Sequence, residues 1–522
     1  MAGKTNATNK QPRALGHLDR FWGSCHSGHG DVHLSWQMYA FLSNFAPYSF
    51  NMVNTFFEDT IAAPATVPGT GALTVIRVSG PDSLRVAGNY LKLSSGSIES
   101  LPGYSIRYGS FVNENGELVD EVLASVFRAP HSYTGEDSVE ISCHASAYVA
   151  SEVLRLLCRA GARMASPGEF TRRAFVNGKM DLAQSEAVAD VISSNSSASL
   201  RVAMNQLRGG YSSELRSIRS SLVEIASLVE LELDFSEEDV EFADRNRLSS
   251  LLDEILAKID NLASSFRYGN AIRNGVPVAI VGAPNSGKST LLNALLGDDR
   301  AIVSDVPGTT RDTVEETLVV DGILFRFIDT AGLRSSSDEV ERIGIERSYK
   351  KLAEASVVLA LLDCTSPEEV NEALISDIVS RINPSSQKLI VLFNKVDIIA
   401  PNINVTLLNN EVSSSDSSVV KLYISGKTGF GLDLLKKELV SSQKAQTYNS
   451  DQTVVTNLRH YEALRNASDA LGRVRHSLSS GLTSDLLAED LRDAINHLGT
   501  ITGEVTSDEI LGEIFGRFCI GK

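Results

Sequence analysis

VGAPNSGKSTLL, residues 281–292, decides how this chain folds. It contains G-x-x-x-x-G-K-S as Gly282, Gly287, Lys288 and Ser289, with Asn285 and Ser286 inside the loop and Thr290 behind it. The apolar run Val276–Val281 before it reads as a buried strand. Leu291, Leu292, Ala294, Leu295 and Leu296 after it read as the buried side of a helix. Strand, glycine-rich loop and helix together make a phosphate site. The glycines let backbone N–H groups face phosphates, Lys288 adds a point charge at the β/γ oxygens, and Ser289 offers a hydroxyl to Mg²⁺.

Working outward, three more stretches specify the base. FRFIDT (325–330) ends an alternating strand at Asp329, and Asp329, Thr330, Ala331 and Gly332 give D-x-x-G. Asp329 can hold Mg²⁺ through water, and the Gly332 N–H can meet a γ-phosphate. LIVLFNKVD (389–397) is a buried strand running into N-K-x-D. Asp397 can accept two hydrogen bonds from guanine N1–H and the 2-amino group, which adenine does not offer. Asn394 braces the loop, and the Lys395 stem can lie along the base. Ser425, Gly426 and Lys427 follow the strand Val419–Ile424 and form a second base-binding loop. In this order after a phosphate loop the set reads GTP rather than ATP.

The length of 522 residues fits two to four domains. Hydrophobic content of 43% and charged content of 22% are ordinary for a globular protein. No apolar run approaches a membrane span of about 20 residues. The net charge of −17 argues against a broadly basic nucleic-acid surface, so RNA contact is local or supplied by a partner. Five cysteines, Cys25, Cys143, Cys158, Cys364 and Cys519, lie far apart with no C-x-x-C, which fits a reducing compartment and no structural zinc.

The fold class is α/β plus α. Residues 1–57 are an N-terminal extension with four basic and two acidic residues, read as a transit-type segment or a disordered extension. Residues 58–180 are α/β, with strands at Ala72–Val78, Val122–Arg128 and Ser138–Cys143 and a helix over Ala145–Arg159. Residues 181–274 carry helical periodicity, as do residues 446–522, where Tyr461, Leu464, Ala467, Leu471, Val474 and Leu478 form one stripe. The nucleotide unit, 275–445, is therefore inserted into one helical domain. The acidic run Glu230–Glu241 reads as a solvated helix end.

Five further stretches complete the pattern: DTIAAPATVPGTGALTVIRVSGP (59–81), YTGEDSVEISCH (133–144), SPGEFTRRAFVNGKMDLAQSEAVADVI (166–192), DTAGLRSSSDEVERIGIERS (329–348) and ITGEVTSDEILGEIFGRFCIGK (501–522). With these the chain resembles the MnmE (TrmE) family of tRNA-modifying GTPases from about Asp59 to Lys522. The resemblance implies an N-terminal domain that dimerises and binds 5,10-methylene- or 5-formyl-tetrahydrofolate, a helical domain, and an inserted Ras-like G domain. It implies work with a flavin-dependent partner, MnmG (GidA), placing a carboxymethylaminomethyl-type group on C5 of the wobble uridine of tRNA.

The resemblance also assigns residues. Leu333 stands where small GTPases place a water-orienting Gln, so hydrolysis uses another arrangement. Asn285, the carbonyls of Ser304 and Val306, and Thr309 would hold K⁺, while Ser289 and Thr310 would hold Mg²⁺. Glu341 would orient the attacking water and Arg334 would act in switch II. Turnover would accelerate when two G domains meet. Arg77, Glu140, Lys179 and Lys522 would contact the folate, and Cys519 would serve the one-carbon transfer or be an ordinary thiol. Taken alone, Arg77 reads as an ion-pair member and Lys179 as a surface lysine. Gly426 replaces the family's usual Ala, with little effect expected, and Thr70 stands where many members carry Arg. The compartment is a mitochondrion or chloroplast, or alternatively a bacterial cytoplasm. Two other readings are a regulatory GTPase switch and a ribosome-assembly GTPase, neither with one-carbon chemistry. The folate motifs and the terminal FCIGK oppose both, and the acidic charge opposes the second.

Overall fold

A computed structural model describes residues 58–234, 245–297, 316–328, 352–384, 387–399, 419–444, 453–480 and 484–521. The first sheet has seven strands: β1 (Thr60–Pro64), β2 (Leu73–Ser79), β3 (Leu91–Leu93), β4 (Ser105–Val112), β5 (Leu118–Phe127), β6 (Ser138–His144) and β7 (Ala162–Met164). Their order is β3-β4-β5-β6-β2-β1-β7, antiparallel throughout except for the parallel β1–β7 pair. Alternation decides the faces. Ile76, Val78, Val122, Ala124, Val126, Val139 and Ile141 point into a core closed by Val153, Leu156 and Leu157 of the helix Ala147–Arg159. The register places Arg77 opposite Glu140 and Glu140 opposite Ser125, on the other face. That face also presents Ile106, Tyr108 and Leu123, all exposed.

The helix Leu182–Ser193 opens on a capping box made by Asp181 and Gln184. Ser197–Leu207, Gly210–Asp234, Arg245–Ser264 and Phe266–Asn274 follow it. After the nucleotide unit come Leu458–Ser480, Ser484–Thr502 and Asp508–Gly516. Leu458–Ser480 packs on Arg245–Ser264, and Ser484–Thr502 packs on Gly210–Asp234. Helices on both sides of the insertion thus share one bundle. The expected stripe lines its core: Leu464, Ala467, Leu471 and Val474 are buried.

A polar seam fastens the returning chain. Gln206 Nε2 donates to the Val454 carbonyl at 3.0 Å, and Val455 N donates to Ser265 Oγ at 3.0 Å. Glu186 accepts from Asn457 Nδ2 at 3.0 Å and Arg459 Nη2 at 2.9 Å, and lies 2.6 Å from His460 Nε2. Burial alone would raise the Glu186 carboxyl, yet His460 and Arg459 hold it down at about 2. Burial also pushes the His460 imidazole below its ordinary value, so the permanent Arg459 cation keeps Glu186 ionised. The acidic run departs from expectation at its first residue. Glu230 is buried and accepts from Arg492 Nε at 3.0 Å rather than facing water.

The second sheet holds β8 (Val276–Gly282), β9 (Glu316–Val320), β10 (Ile323–Ile328), β11 (Val357–Asp363), β12 (Lys388–Asn394) and β13 (Val419–Tyr423). Its order is β13-β12-β11-β8-β10-β9, parallel except for the β9–β10 hairpin. Both faces are covered, so β11 is apolar without alternation. Val357, Leu359 and Leu361 enter one core with Leu291, Leu295 and Leu435. Val358, Ala360 and Leu362 enter the other with Ile378.

Candidate functional site

Three loops meet where β8, β12 and β13 end. The loop after β8 holds Asn285 at φ 60° and Gly287 at φ 96°, both left-handed. Gly287 is the N-cap of the helix Lys288–Leu296, with no side-chain cap. The first-turn amides are therefore the groups a phosphate would meet. A Cβ at Gly287 would collide with Asn394 Nδ2, and one at Gly282 would lie 2.5 Å from the Leu361 carbonyl. Both positions need glycine for close approach. Lys288 Nζ donates to the Gly282 carbonyl at 2.8 Å and to that of Ala283 at 2.9 Å, which holds the ammonium over the loop. Ser286 Oγ is buried without a hydrogen-bond partner among the described residues.

Asn394 ties the loops together. Its Nδ2 donates to the Ser286 carbonyl at 2.8 Å, and its Oδ1 accepts from Gly426 N at 3.0 Å. Ser425 Oγ donates to Asp397 Oδ1 at 2.7 Å and accepts from Thr428 N at 3.2 Å. Ser425 thereby orients the carboxylate that would read the base. A Cβ at Gly426 would lie 3.2 Å from both N and Cα of Leu291. An alanine there would need the start of the phosphate helix to give by a few tenths of an ångström.

The second cluster lies on the first sheet. Arg77 Nη2 and Glu140 Oε1 are 2.9 Å apart, with side chains 15% and 27% exposed. The Arg77 guanidinium lies over the Tyr133 ring at 4.9 Å and near Phe170 at 5.5 Å. Phe170 packs with Ile61, Ala63 and Ala165. Behind it, the fully buried Arg173 donates to Asp59 Oδ1 at 2.8 Å, Glu169 Oε1 at 3.0 Å and Glu136 Oε1 at 3.1 Å. Burial by itself would raise Glu169, but Arg163 leads a set of donors that brings it down to about 2. The sign follows: Glu169 stabilises the fold fully above its unfolded value near 4.5, and this is lost as pH falls toward 2. Glu169→Gln should melt several degrees below the parent at pH 7. In a pH series of thermal melts the gap should narrow from about pH 4.5 down to about pH 2.

The C-terminal tail joins this cluster. The Cys519 carbonyl accepts from Gly168 N at 3.4 Å, and the thiol-bearing residue is exposed. Gly521 has φ 97°, and a Cβ there would collide with the Pro64 carbonyl. Pro64 adjoins Ala63, the partner of Arg77 in the β1–β2 register. The tail up to Gly521 is thus docked against β1. Lys179 Nζ donates to the Pro130 carbonyl at 2.9 Å, so it is tied to the loop before Tyr133.

Comparison with known proteins decides the family. The MnmE helical domain model matches residues 182–519, and the model for the GTP-binding protein TrmE N-terminus matches residues 60–179. The chain belongs to the MnmE family. The tRNA modification GTPase MnmE of Bacteroides fragilis is 49% identical over 471 residues, covering 89% of this chain and all of that protein. The MnmE proteins of Parabacteroides distasonis (47%, covering 89% and 100%) and Porphyromonas gingivalis (48%, covering 90% and 100%) are similar to it as well. These relatives are bacterial. Among the described residues no helix is long and apolar enough to cross a membrane.

Of the residues that the motifs and the MnmE resemblance assign, the structure brings Asn285 to Thr290, Asn394, Lys395, Asp397 and Ser425 to Lys427 to one end of the second sheet. It brings Arg77 and Glu140 together on the first. Ser304, Val306, Thr309, Thr310, Asp329, Thr330, Ala331, Gly332, Arg334, Glu341 and Lys522 lie outside the described residues. Sequence reasoning missed the partners that orient these groups. Tyr133 and Phe170 look like ordinary aromatics until the fold stacks them on Arg77. Asp363, which ends β11, belongs to no motif, although an aspartate two residues before a threonine is a turn signal.

Proposed function

We propose that this protein hydrolyses GTP in the service of tRNA modification. With an MnmG-type flavoprotein it installs a carboxymethylaminomethyl-type group on C5 of the wobble uridine, drawing the carbon from 5,10-methylene- or 5-formyl-tetrahydrofolate. The observation that carries this is the match to bacterial MnmE along the whole of that protein at 49% identity. The three loops joined through Asn394 support the nucleotide part.

The nucleotide loop fits the ions that the family implies. An asparagine in left-handed conformation and a buried, unpartnered Ser286 hydroxyl give the loop oxygen ligands that the fold does not use. Asn285, Ser304, Val306 and Thr309 would hold K⁺; Ser289 and Thr310 would hold Mg²⁺. Asp329 to Gly332 would face the γ-phosphate, Arg334 would act in switch II, and Glu341 would orient water. When bound, the cations would neutralise charge that develops on the leaving phosphates. The first-sheet cluster fits a folate: a carboxylate that can accept a paired donor from the pterin, aromatic walls, and basic Lys179 and Lys522 for the glutamyl end. Cys519 is the group proposed for the carbon transfer. The uncovered face bearing Ile106, Tyr108 and Leu123 supports a homodimer through this domain. Domain limits at 58–180, 181–274, 275–445 and 446–522 are proposed, and the two sheets and the shared bundle support that division. Residues 1–57 are proposed as a transit-type segment for an organelle on their composition, against the cytoplasm that suits the bacterial relatives. Sequencing the mature N-terminus decides between them.

The test is nucleoside analysis of wobble uridine after incubating tRNA with the full chain, an MnmG-type partner, GTP and methylene-tetrahydrofolate. Modified uridine requiring both GTP and the folate is the expected result, and its absence in the complete mixture contradicts the reading. Gly521→Ala sharpens it, because the added methyl forces the tail off the Pro64 carbonyl. Modification should fall at least about tenfold while GTP turnover stays within about twofold.

A further inference from the structure

Lys395 is the second residue of the base-reading motif, and its backbone is left-handed at φ 68°. A lysine here has a four-methylene stem whose rotamer freedom must be lost before it can serve as a floor for a planar base. The structure shows it already held. Lys395 Nζ donates to Asp363 Oδ2 at 2.6 Å, with side chains 29% and 13% exposed. The carboxylate is itself fixed. Asp363 Oδ1 accepts from Thr365 N at 2.9 Å and Thr365 Oγ1 at 2.7 Å, a closed side-chain turn. Its carbonyl accepts from Asn371 Nδ2 at 3.1 Å. Register puts Asp363 beside Asn394, and Cys364 N donates to the Asn394 carbonyl at 3.1 Å. The turn at the end of β11 is thus bolted to the strand that presents the whole motif.

We propose that Asp363 is a positioning residue for the guanine nucleotide: it pins the Lys395 ammonium to one side so that the aliphatic stem lies flat under the base. This rests on reading the three loops as a GTP site. The division of labour has a chemical consequence. Asp397 reads the base edge and sets which base binds. Asp363 acts only through the base face, so it raises affinity for guanine and hypoxanthine nucleotides alike. It is indifferent to the γ-phosphate, so GTP and GDP gain equally. Without it Lys395 is a mobile cation, and binding must order it at the moment of association.

The experiment is equilibrium titration of the full chain with GDP, GTP and ITP, using Asp363→Ala, Asp363→Asn, Lys395→Ala and the Asp363→Ala/Lys395→Ala double variant. Asp363→Asn keeps the oxygen that accepts from Thr365 and so guards against a merely collapsed turn. Both Asp363 variants should weaken GDP and GTP by about 5–30-fold, with the GTP/ITP ratio unchanged. The double variant should bind no more weakly than Lys395→Ala alone, because the two residues act in series. Binding by Asp363→Asn within twofold of the parent would overturn the proposal. So would losses that multiply in the double variant, or a shifted GTP/ITP ratio. A parent chain that binds neither GTP nor GDP would instead sink the nucleotide reading on which the proposal stands.

Discussion

Asp397→Asn should exchange guanine for xanthine. The Asp397 carboxylate, oriented by the Ser425 hydroxyl at 2.7 Å, can accept from both N1–H and the 2-amino group of guanine. An amide in its place accepts from one and turns an N–H toward the other. Losing one charge-assisted hydrogen bond and gaining a donor–donor clash costs about 3–4 kcal/mol, or about 10²–10³ in affinity. Xanthine has a 2-oxo group where guanine has the amine, so the same amide matches it. GTP binding and turnover should collapse in the variant, and saturating XTP should restore turnover. Competition titrations of GTP against XTP on parent and variant check this. A variant that keeps its GTP affinity would mean that Asp397 does not read the base.

Asn394→Ala should be nearly as severe, for a different reason. The side chain satisfies two buried backbone groups on two separate loops, the Ser286 carbonyl and the Gly426 amide. Alanine leaves both unpaired at about 1–3 kcal/mol each. It also frees the phosphate loop from the base loop, so the nucleotide must organise both. Affinity for GDP should fall by about 10²-fold or more, and global stability should fall by a comparable few kcal/mol, although the sheet cores on either side of β12 are untouched. Parallel GDP titration and thermal melting separate the two. A variant that binds GDP normally would show that the loops are held by something other than Asn394.

How far the sequence carried the fold depended on how local each signal was. The phosphate loop, N-K-x-D and S-G-K are short, lie at strand ends, and keep their meaning in isolation. They appear at β8, β12 and β13 as expected. The stripe from Tyr461 to Leu478 gave its helix because about five turns repeat one period. The strands β1, β3, β4 and β7 escaped notice: Leu91–Leu93 and Ala162–Met164 are three residues each, and Thr60–Pro64 ends in alanine and proline. Such strands are stabilised by neighbours in the sheet rather than by their own propensity. The seam is less legible still. Glu186 meets His460 across 274 positions, and no period or spacing announces that pair. Glu230 shows the same limit, since an acidic run looks solvated until Arg492 arrives from a distant helix. At the candidate sites the reading residues were legible, but the residues that orient them, Asp363, Ser425 as a partner of Asp397, Tyr133 and Phe170, became visible only in three dimensions.

The proposed GTPase cycle depends on potassium, with Glu341 proposed for the role that Leu333 does not fill. GTP turnover by the full chain in KCl and in NaCl at equal ionic strength, with Glu341→Ala beside the parent, tests it most directly. The account predicts strong turnover in KCl, little in NaCl, and loss of the KCl rate in the variant. Equal, slow rates in both salts, or a variant as active as the parent, would contradict it.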